Sequence, residues 1–274
     1  MDARTQEMEI TSIDTEFSCP DGTKVMAYLS RPKDSEKHPG IIVIHEAWGL
    51  NDQIKGVARR YAERGFVAVA PHLFTRYRDV MTESNVERTM RSMFSVPPEK
   101  RNDPNVIQEA MKTMSEAERR VVELFFLGRE ALEKTMAEDL MSCKDFLQAK
   151  SFVRGERLGI TGFCMGGGLA YQLSTMYPFS ATVPFYGANP KPIDAVADIS
   201  GPVLGIYAGE DERINAGVPA LVESMLKYKK SFEMKVYKGV QHAFFNETRP
   251  VYDREAAEDA WARATSFFGR HLLA

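Results

Sequence analysis

The residues that point most directly to chemistry surround a cysteine, in the run Gly162-Phe163-Cys164-Met165-Gly166. An apolar stretch, Leu158–Thr161, precedes it and a helical pattern over about 166–176 follows. A nucleophile flanked by glycines between a strand and a helix reads as a tight elbow that lifts the side chain out of the chain. The helix start behind it supplies backbone N–H groups and a positive dipole end, which favour a thiolate and then an oxyanion. The Met165 N–H is one expected oxyanion donor. The competing reading, a buried cysteine in a nucleotide-binding turn, requires G-x-G-x-x-G, and the spacing here does not supply it. A catalytic thiol needs a base, and the base needs a group to orient it. Two later strand ends offer them: VLGIYAGED delivers Asp211, with Glu210 as a neighbouring competitor, and FEMKVYKGVQHAF delivers His242. His38 and His271 read as surface residues, and His72 follows a strand end where it can line a cleft.

These groups need a scaffold that brings several strand ends together. IIVI at 41–44 is β-branched throughout, as expected of a strand buried on both faces. FVAVAP, ATVPFYG, PVLGIYAGED and SFEMKVYKG read as further strands, and residues 13–31 as two strands around a Pro20-Asp21-Gly22 turn. Helical patterns alternate with them over 51–64, about 128–149, 213–229 and about 252–271. Alternation of this kind predicts βαβ units and a mostly parallel central sheet with helices on both faces. In such sheets, reactive side chains gather where strand C-termini meet loops. The stretch from about 72 to 130 breaks the rhythm. It is rich in Met and charge, contains Pro97-Pro98 and Pro104, and predicts a helical, cap-like insertion within one domain spanning 1–274. The alternatives for it are a surface excursion or, because methionine surfaces adapt to partners, a contact through which the chain forms a homo-oligomer rather than a monomer.

Composition narrows the function classes. The 274 residues carry 35 Lys+Arg and 38 Asp+Glu, a formal net charge of −3, with no basic cluster to suggest a nucleic-acid partner. The longest apolar runs are too short to span a bilayer. MDARTQEMEI lacks an apolar stretch behind a basic start, which predicts no secretory signal and a cytoplasmic location. Three cysteines, Cys19, Cys143 and Cys164, argue against a disulfide framework and fit a reducing compartment. His45-Glu46 opens like a zinc-protease motif, but Gly49 stands where the second histidine is required, so neither a metal nor another cofactor is expected.

Four motifs in order, HEAWGLND, GFCMGG, YAGEDERI and GVQHAF, resemble those of the dienelactone hydrolase (carboxymethylenebutenolidase) family, within the α/β-hydrolase superfamily, over roughly residues 13–271. The resemblance implies an α/β-hydrolase fold and cysteine-dependent hydrolysis of an ester or lactone through a thioester, with a small-molecule substrate. It assigns Glu46 as a carboxylate that pairs with the resting thiol and moves away when substrate arrives. A carboxylate beside a thiol holds the proton on sulfur by repulsion. The Ala47 N–H becomes the second oxyanion donor. Arg76 matches one of two arginines that hold a substrate carboxylate, and Tyr186 and Trp48 line the cleft. The second arginine belongs four residues after the catalytic histidine, where this chain has Asn246; Arg249, three further on, is the replacement expected to contact substrate. That departure leaves a general carboxylesterase or thioesterase open, and a non-catalytic redox-sensing or binding protein with a reactive Cys164 is the reading from a different class.

Overall fold

The computed structural model describes residues 8–97, 100 and 103–274. The strands form where β-branched and aromatic residues run together. They are β1 (Ile10–Ser18), β2 (Lys24–Pro32), β3 (His38–Ile44), β4 (Val67–Pro71), β5 (Val153–Phe163), β6 (Ala181–Phe185), β7 (Val203–Ala208) and β8 (Phe232–Tyr237). All eight join one sheet in the order β1-β2-β4-β3-β5-β6-β7-β8. The six strands from β4 to β8 in that order are parallel, and β2 pairs antiparallel to both of its neighbours.

Side-chain alternation along β3 explains the layers. Ile41 and Val43 enter one core with α1 (Asp52–Glu63) and, from the far end of the chain, the last helix; Ile42 and Ile44 enter the other. A strand covered on both faces tolerates no polar side, hence the unbroken IIVI run. Asn51 caps α1 by accepting from the Ile54 N–H, and Gly65, at φ +86°, takes the left-handed turn out of it.

The excursion after β4 contains α2 (Glu83–Phe94), α3 (Pro104–Met111) and α4 (Glu116–Val122), the last started by a Ser115/Glu118 capping box. Val86 and Met90 of α2 join the sheet-face core beside Leu73 and Phe74. Met93, Ile107, Met114 and Val122 make a small core of their own. Most of the insertion's methionines, Met81, Met90, Met93 and Met114, are therefore packed inside it. Pro98 lies outside the described residues. A π-helical turn, Glu123–Leu127, leads into α5 (Arg129–Gln148), which packs under the sheet through Leu132, Met136, Leu140 and Leu147.

After β5 comes α6 (Met165–Ser174). The helix expected over 213–229 is two, α7 (Glu212–Asn215) and α8 (Val218–Lys227), because Gly217 breaks it and Pro219 restarts it in the first turn. α9 (Arg254–Phe268), capped by Asp253, closes the first core through Trp261, Ala264 and Phe268.

Candidate active site

Strand register decides which loop residues meet. Ile44 pairs with Gly162 across β3 and β5, so Glu46 and Cys164 each lie two residues past paired positions. Phe163 pairs with Phe185 across β5 and β6, which puts Tyr186 beside Cys164. Ala208 pairs with Tyr237 across β7 and β8, and the loops beyond carry Asp211 and His242.

Cys164 has φ 56° and ψ −114°, a left-handed conformation that costs a non-glycine residue on the order of 1–3 kcal/mol. Its N–H donates to the Phe185 carbonyl at 3.1 Å and its carbonyl accepts from the Gly168 N–H at 3.1 Å, so the turn is pinned at both ends. The glycines are required by contact. A Cβ at Gly162 would lie 2.1 Å from the Gly166 carbonyl oxygen, and one at Gly166 would lie 2.6 Å from the carbonyls of Ile44 and His45. The start of α6 thus sits directly against the end of β3.

His242 Nδ1 donates to Asp211 Oδ2 in a short hydrogen bond, while Asp211 Oδ1 accepts from the Ile214 N–H at 3.3 Å and caps α7. Glu210 is turned elsewhere: its carboxylate accepts from the Gly239 N–H at 3.1 Å. Burial works against a charged His242, but the Cys164 charge, the Asp211 hydrogen bond and the Cys164 contact outweigh it and push the imidazole up to about 10. Asp211 is subject to the opposite balance. Burial raises it, yet the bond and charge of His242 hold its carboxyl below the ordinary range. His242 Nε2 is buried and satisfies no full hydrogen-bond geometry, although the thiol is close enough to act on the ring. Resting sites often hold such a pair loosely and tighten it only around substrate.

The remaining expected residues are distributed differently. Glu46 is buried, and its two oxygens accept from the Tyr186 hydroxyl at 3.1 Å and Asn246 Nδ2 at 2.5 Å. Burial pushes this carboxyl up, and those two bonds pull it part of the way back. The resting contact with the thiol that the family resemblance implies is absent among the hydrogen bonds of the described residues; the donors on the Glu46 oxygens are Tyr186 and Asn246. Tyr186 is not a cleft-lining residue either. It is fully buried, its ring is 4.9 Å from that of His242, and its hydroxyl is spent on Glu46. Arg76 is also corrected: its guanidinium is divided between Asp139, at 2.7 Å, and Asp21, at 2.6 Å. Asp139 is fully buried and also accepts from the Cys19 thiol at 3.2 Å, so Arg76 neutralises a buried carboxylate and has no free face for a substrate.

Trp48 and Arg249 come together as a stacked pair, the guanidinium carbon 3.9 Å from the ring centre. Arg249 reaches Glu83 and Glu87 of α2 at 3.3 and 3.8 Å, and its Nε is buried without an acceptor. This pairing ties the insertion to the loop that follows His242. The Met165 N–H, at the first position of α6, is one of the orphan donors every helix start leaves. The Ala47 N–H is taken by no acceptor among the described residues.

Sequence reading missed the role of Asn246. Its Oδ1 accepts from the Thr248 N–H and hydroxyl at 3.1 and 2.7 Å, which turns its amide nitrogen toward Glu46. The signal was the departure itself, a neutral donor where the family resemblance implies a cation. His45, whose motif lacks the second histidine a metal site needs, is fully buried next to Glu46. Among the described residues, no group of three His, Cys, Asp or Glu is placed to hold a metal ion, and no helix is long and apolar enough to cross a membrane.

Comparison with known proteins agrees with this architecture. The family model for dienelactone hydrolases matches residues 25–272. A Saccharolobus solfataricus protein provisionally named carboxymethylenebutenolidase is 46% identical over 254 residues, covering 93% of this chain and 97% of its own. The protein usf of Aquifex pyrophilus is 33% identical over 260 residues, covering 92% and 95%. Among solved structures, a protein of Klebsiella pneumoniae provisionally named dienelactone hydrolase superposes with a TM-score of 0.74 at 25% identity, over 96% of this chain and 99% of its own. A dienelactone-hydrolase-like promiscuous phosphotriesterase from metagenomic libraries shares the fold at a TM-score of 0.73 and 21% identity, over 96% and 98%.

Proposed function

The chain belongs to the dienelactone hydrolase family, and from that premise we propose that it cleaves esters or enol lactones through a thioester on Cys164. It has the α/β-hydrolase fold, and its family acts on ester and lactone bonds. The observation that carries the cysteine mechanism is the His242 Nδ1 bond to Asp211, with the His242 ring 4.9 Å from that of Tyr186, the residue that strand register sets beside Cys164.

In this mechanism the Cys164 thiolate attacks the carbonyl carbon and a C–S bond forms. The developing oxyanion is received by the N–H groups of Ala47 and Met165. Collapse breaks the bond to the leaving oxygen, which takes the proton from His242 Nε2. Water then adds to the thioester, gives its proton to the same nitrogen, and the C–S bond breaks to release the acid and the thiolate. Asp211 holds the ring in the tautomer this needs and stabilises the imidazolium. A thiolate is itself a good leaving group, so substrates whose alkoxide or enolate departs easily are favoured: enol lactones and activated esters.

The substrate reading is narrower on charge. Arg76 is engaged by Asp139 and Asp21, and Asn246 is engaged by Glu46, so neither contributes a cation for a substrate carboxylate. Arg249 is stacked on Trp48 and is itself paired with Glu83 and Glu87, so it too brings little free charge; it and Trp48 are the proposed substrate contacts through their stacked faces. That favours a wider ester range than a doubly clamped carboxylate would.

The test is a hydrolysis screen of enol lactones, aryl esters and acyl thioesters on wild type and Cys164→Ala, with acid quenching and mass spectrometry to trap the acyl enzyme. The reading expects an adduct on Cys164 and no turnover in the variant. Full esterase activity in Cys164→Ala would refute it.

A further inference from the structure

We infer that His45 is a positioning residue for the oxyanion site: its ring grips the Glu46 carbonyl and thereby aims the Ala47 N–H at the reacting oxygen. The inference rests on the proposed thiol mechanism, in which Ala47 supplies one of the two donors.

The geometry is local. His45 Nδ1 lies 2.6 Å from the Glu46 carbonyl oxygen, and its Nε2 lies 3.1 Å from the Leu73 backbone nitrogen. The Leu73 N–H can only donate, so Nε2 is the acceptor and the ring proton sits on Nδ1, where it donates to Glu46. The same carbonyl also accepts from the Gly49 N–H at 3.3 Å. Two donors on one oxygen fix the plane of the peptide joining Glu46 to Ala47. That peptide is trans, since the only cis bond among the described residues precedes Pro192. In a trans peptide the N–H points opposite to the C=O. With the carbonyl held against the buried ring, the Ala47 N–H is turned the other way, and no protein acceptor takes it among the described residues. The contact of Gly166 with the His45 and Ile44 carbonyls brings this loop against the start of α6, where the second donor resides.

Three features suit the ring to this task. It is fully buried, with the edge-on rings of Phe74 and His72 at 4.8 and 6.0 Å bracing it. It offers one donor and one acceptor in a fixed frame, and each has a partner. A protonated ring would set a second N–H against the Leu73 N–H. Burial opposes that protonation and, with the charge of His72, overcomes the Glu46 contact to push His45 down to about 3. The clamp therefore keeps one tautomer through the neutral range.

The experiment compares His45→Leu and His45→Gln with wild type, using p-nitrophenyl acetate for turnover and iodoacetamide for the thiol. Alkylation needs the Cys164–His242 pair but no oxyanion donor. His45→Leu is expected to lose roughly 10²-fold in kcat, as when one oxyanion donor is disabled, with KM within about threefold. Its alkylation rate stays within about twofold of wild type. His45→Gln, which keeps a donor and an acceptor, returns kcat to within about tenfold. The inference is overturned if folded His45→Leu keeps kcat within about threefold, if KM rises while kcat holds, or if alkylation slows in parallel with kcat. Should His45→Leu not fold, His45→Gln decides alone: a loss of roughly 10³-fold or more in the folded protein overturns the inference. Turnover by Cys164→Ala sinks the thiol mechanism instead, and is measured separately.

Discussion

Replacing Asp211 with asparagine tests the acid–base relay and can be worked from the hydrogen bonds. The carboxylate serves two donors at once: Oδ2 accepts from His242 Nδ1 and Oδ1 from the Ile214 N–H at the start of α7. An asparagine has one acceptor oxygen, so one of the two donors must face its NH2 group. A helix cap is worth about 1 kcal/mol, whereas a hydrogen bond to a charged group is worth about 1.5–3 kcal/mol. The oxygen should therefore turn to His242 and leave Ile214 unserved. That choice keeps the tautomer but loses the charge assistance, about half the strength of the bond, or about 0.8–1.5 kcal/mol. At 1.36 kcal/mol per tenfold, kcat is expected to fall about 4- to 13-fold. The urea midpoint should fall by the equivalent of about 1 kcal/mol for the lost cap. Asp211→Ala, which serves neither donor, should fall on the order of 10³-fold or more. Steady-state hydrolysis of an aryl ester and urea denaturation measure both quantities. If Asp211→Asn keeps kcat within about twofold, Asp211 does not orient the base. If it loses on the order of 10⁴-fold with unchanged stability, the oxygen has stayed on Ile214 and the ranking of the two bonds is wrong.

Other perturbations address different parts of the molecule. Arg76→Met leaves the buried Asp139 carboxylate without its cation and should cost about 3–5 kcal/mol in urea unfolding while KM for a carboxylate-bearing lactone is unchanged; a raised KM at full stability would restore Arg76 to the substrate. Gly162→Ala forces a methyl to within 2.1 Å of the Gly166 carbonyl, so the elbow must shift, and stability should drop by about 3 kcal/mol or more along with thiol reactivity. A normal melting curve would show that the turn is not packed as described. The folded His242 titrates near 10 against 6.5 for the free side chain, so its contribution to stability is full below about pH 6.5 and disappears as pH rises through about 10. The gap in urea midpoint between wild type and His242→Gln should accordingly be larger near pH 6 than near pH 10.5; a gap that widens with pH contradicts the sign.

Much of the scaffold was legible because its signals are local. IIVI announces a strand buried on both faces, Asn51 and Gly65 bracket α1, and the alternation of such segments implies the parallel sheet. One expected helix is two because a local break, Gly217 followed by Pro219, divides it into α7 and α8. The methionines of the insertion carry no period that separates an internal core from an exposed surface, and only their packing with Ile107 and Val122 decides it.

For the site, the chain by itself determined the candidates and their order: a thiol in a glycine-flanked elbow, an acid and a histidine past later strands. Each depends on a few consecutive residues and on the strand that delivers them, so spacing suffices to name them. Tertiary structure decided what the long polar side chains do. Arg76 is committed to Asp139, 63 residues away, Tyr186 to Glu46 across 140, and Asn246 to Glu46 across 200. A flexible or buried polar group goes to whichever partner lowers the cost of burying it. That partner is set by which strand ends the sheet brings together, a fact no local run of residues contains.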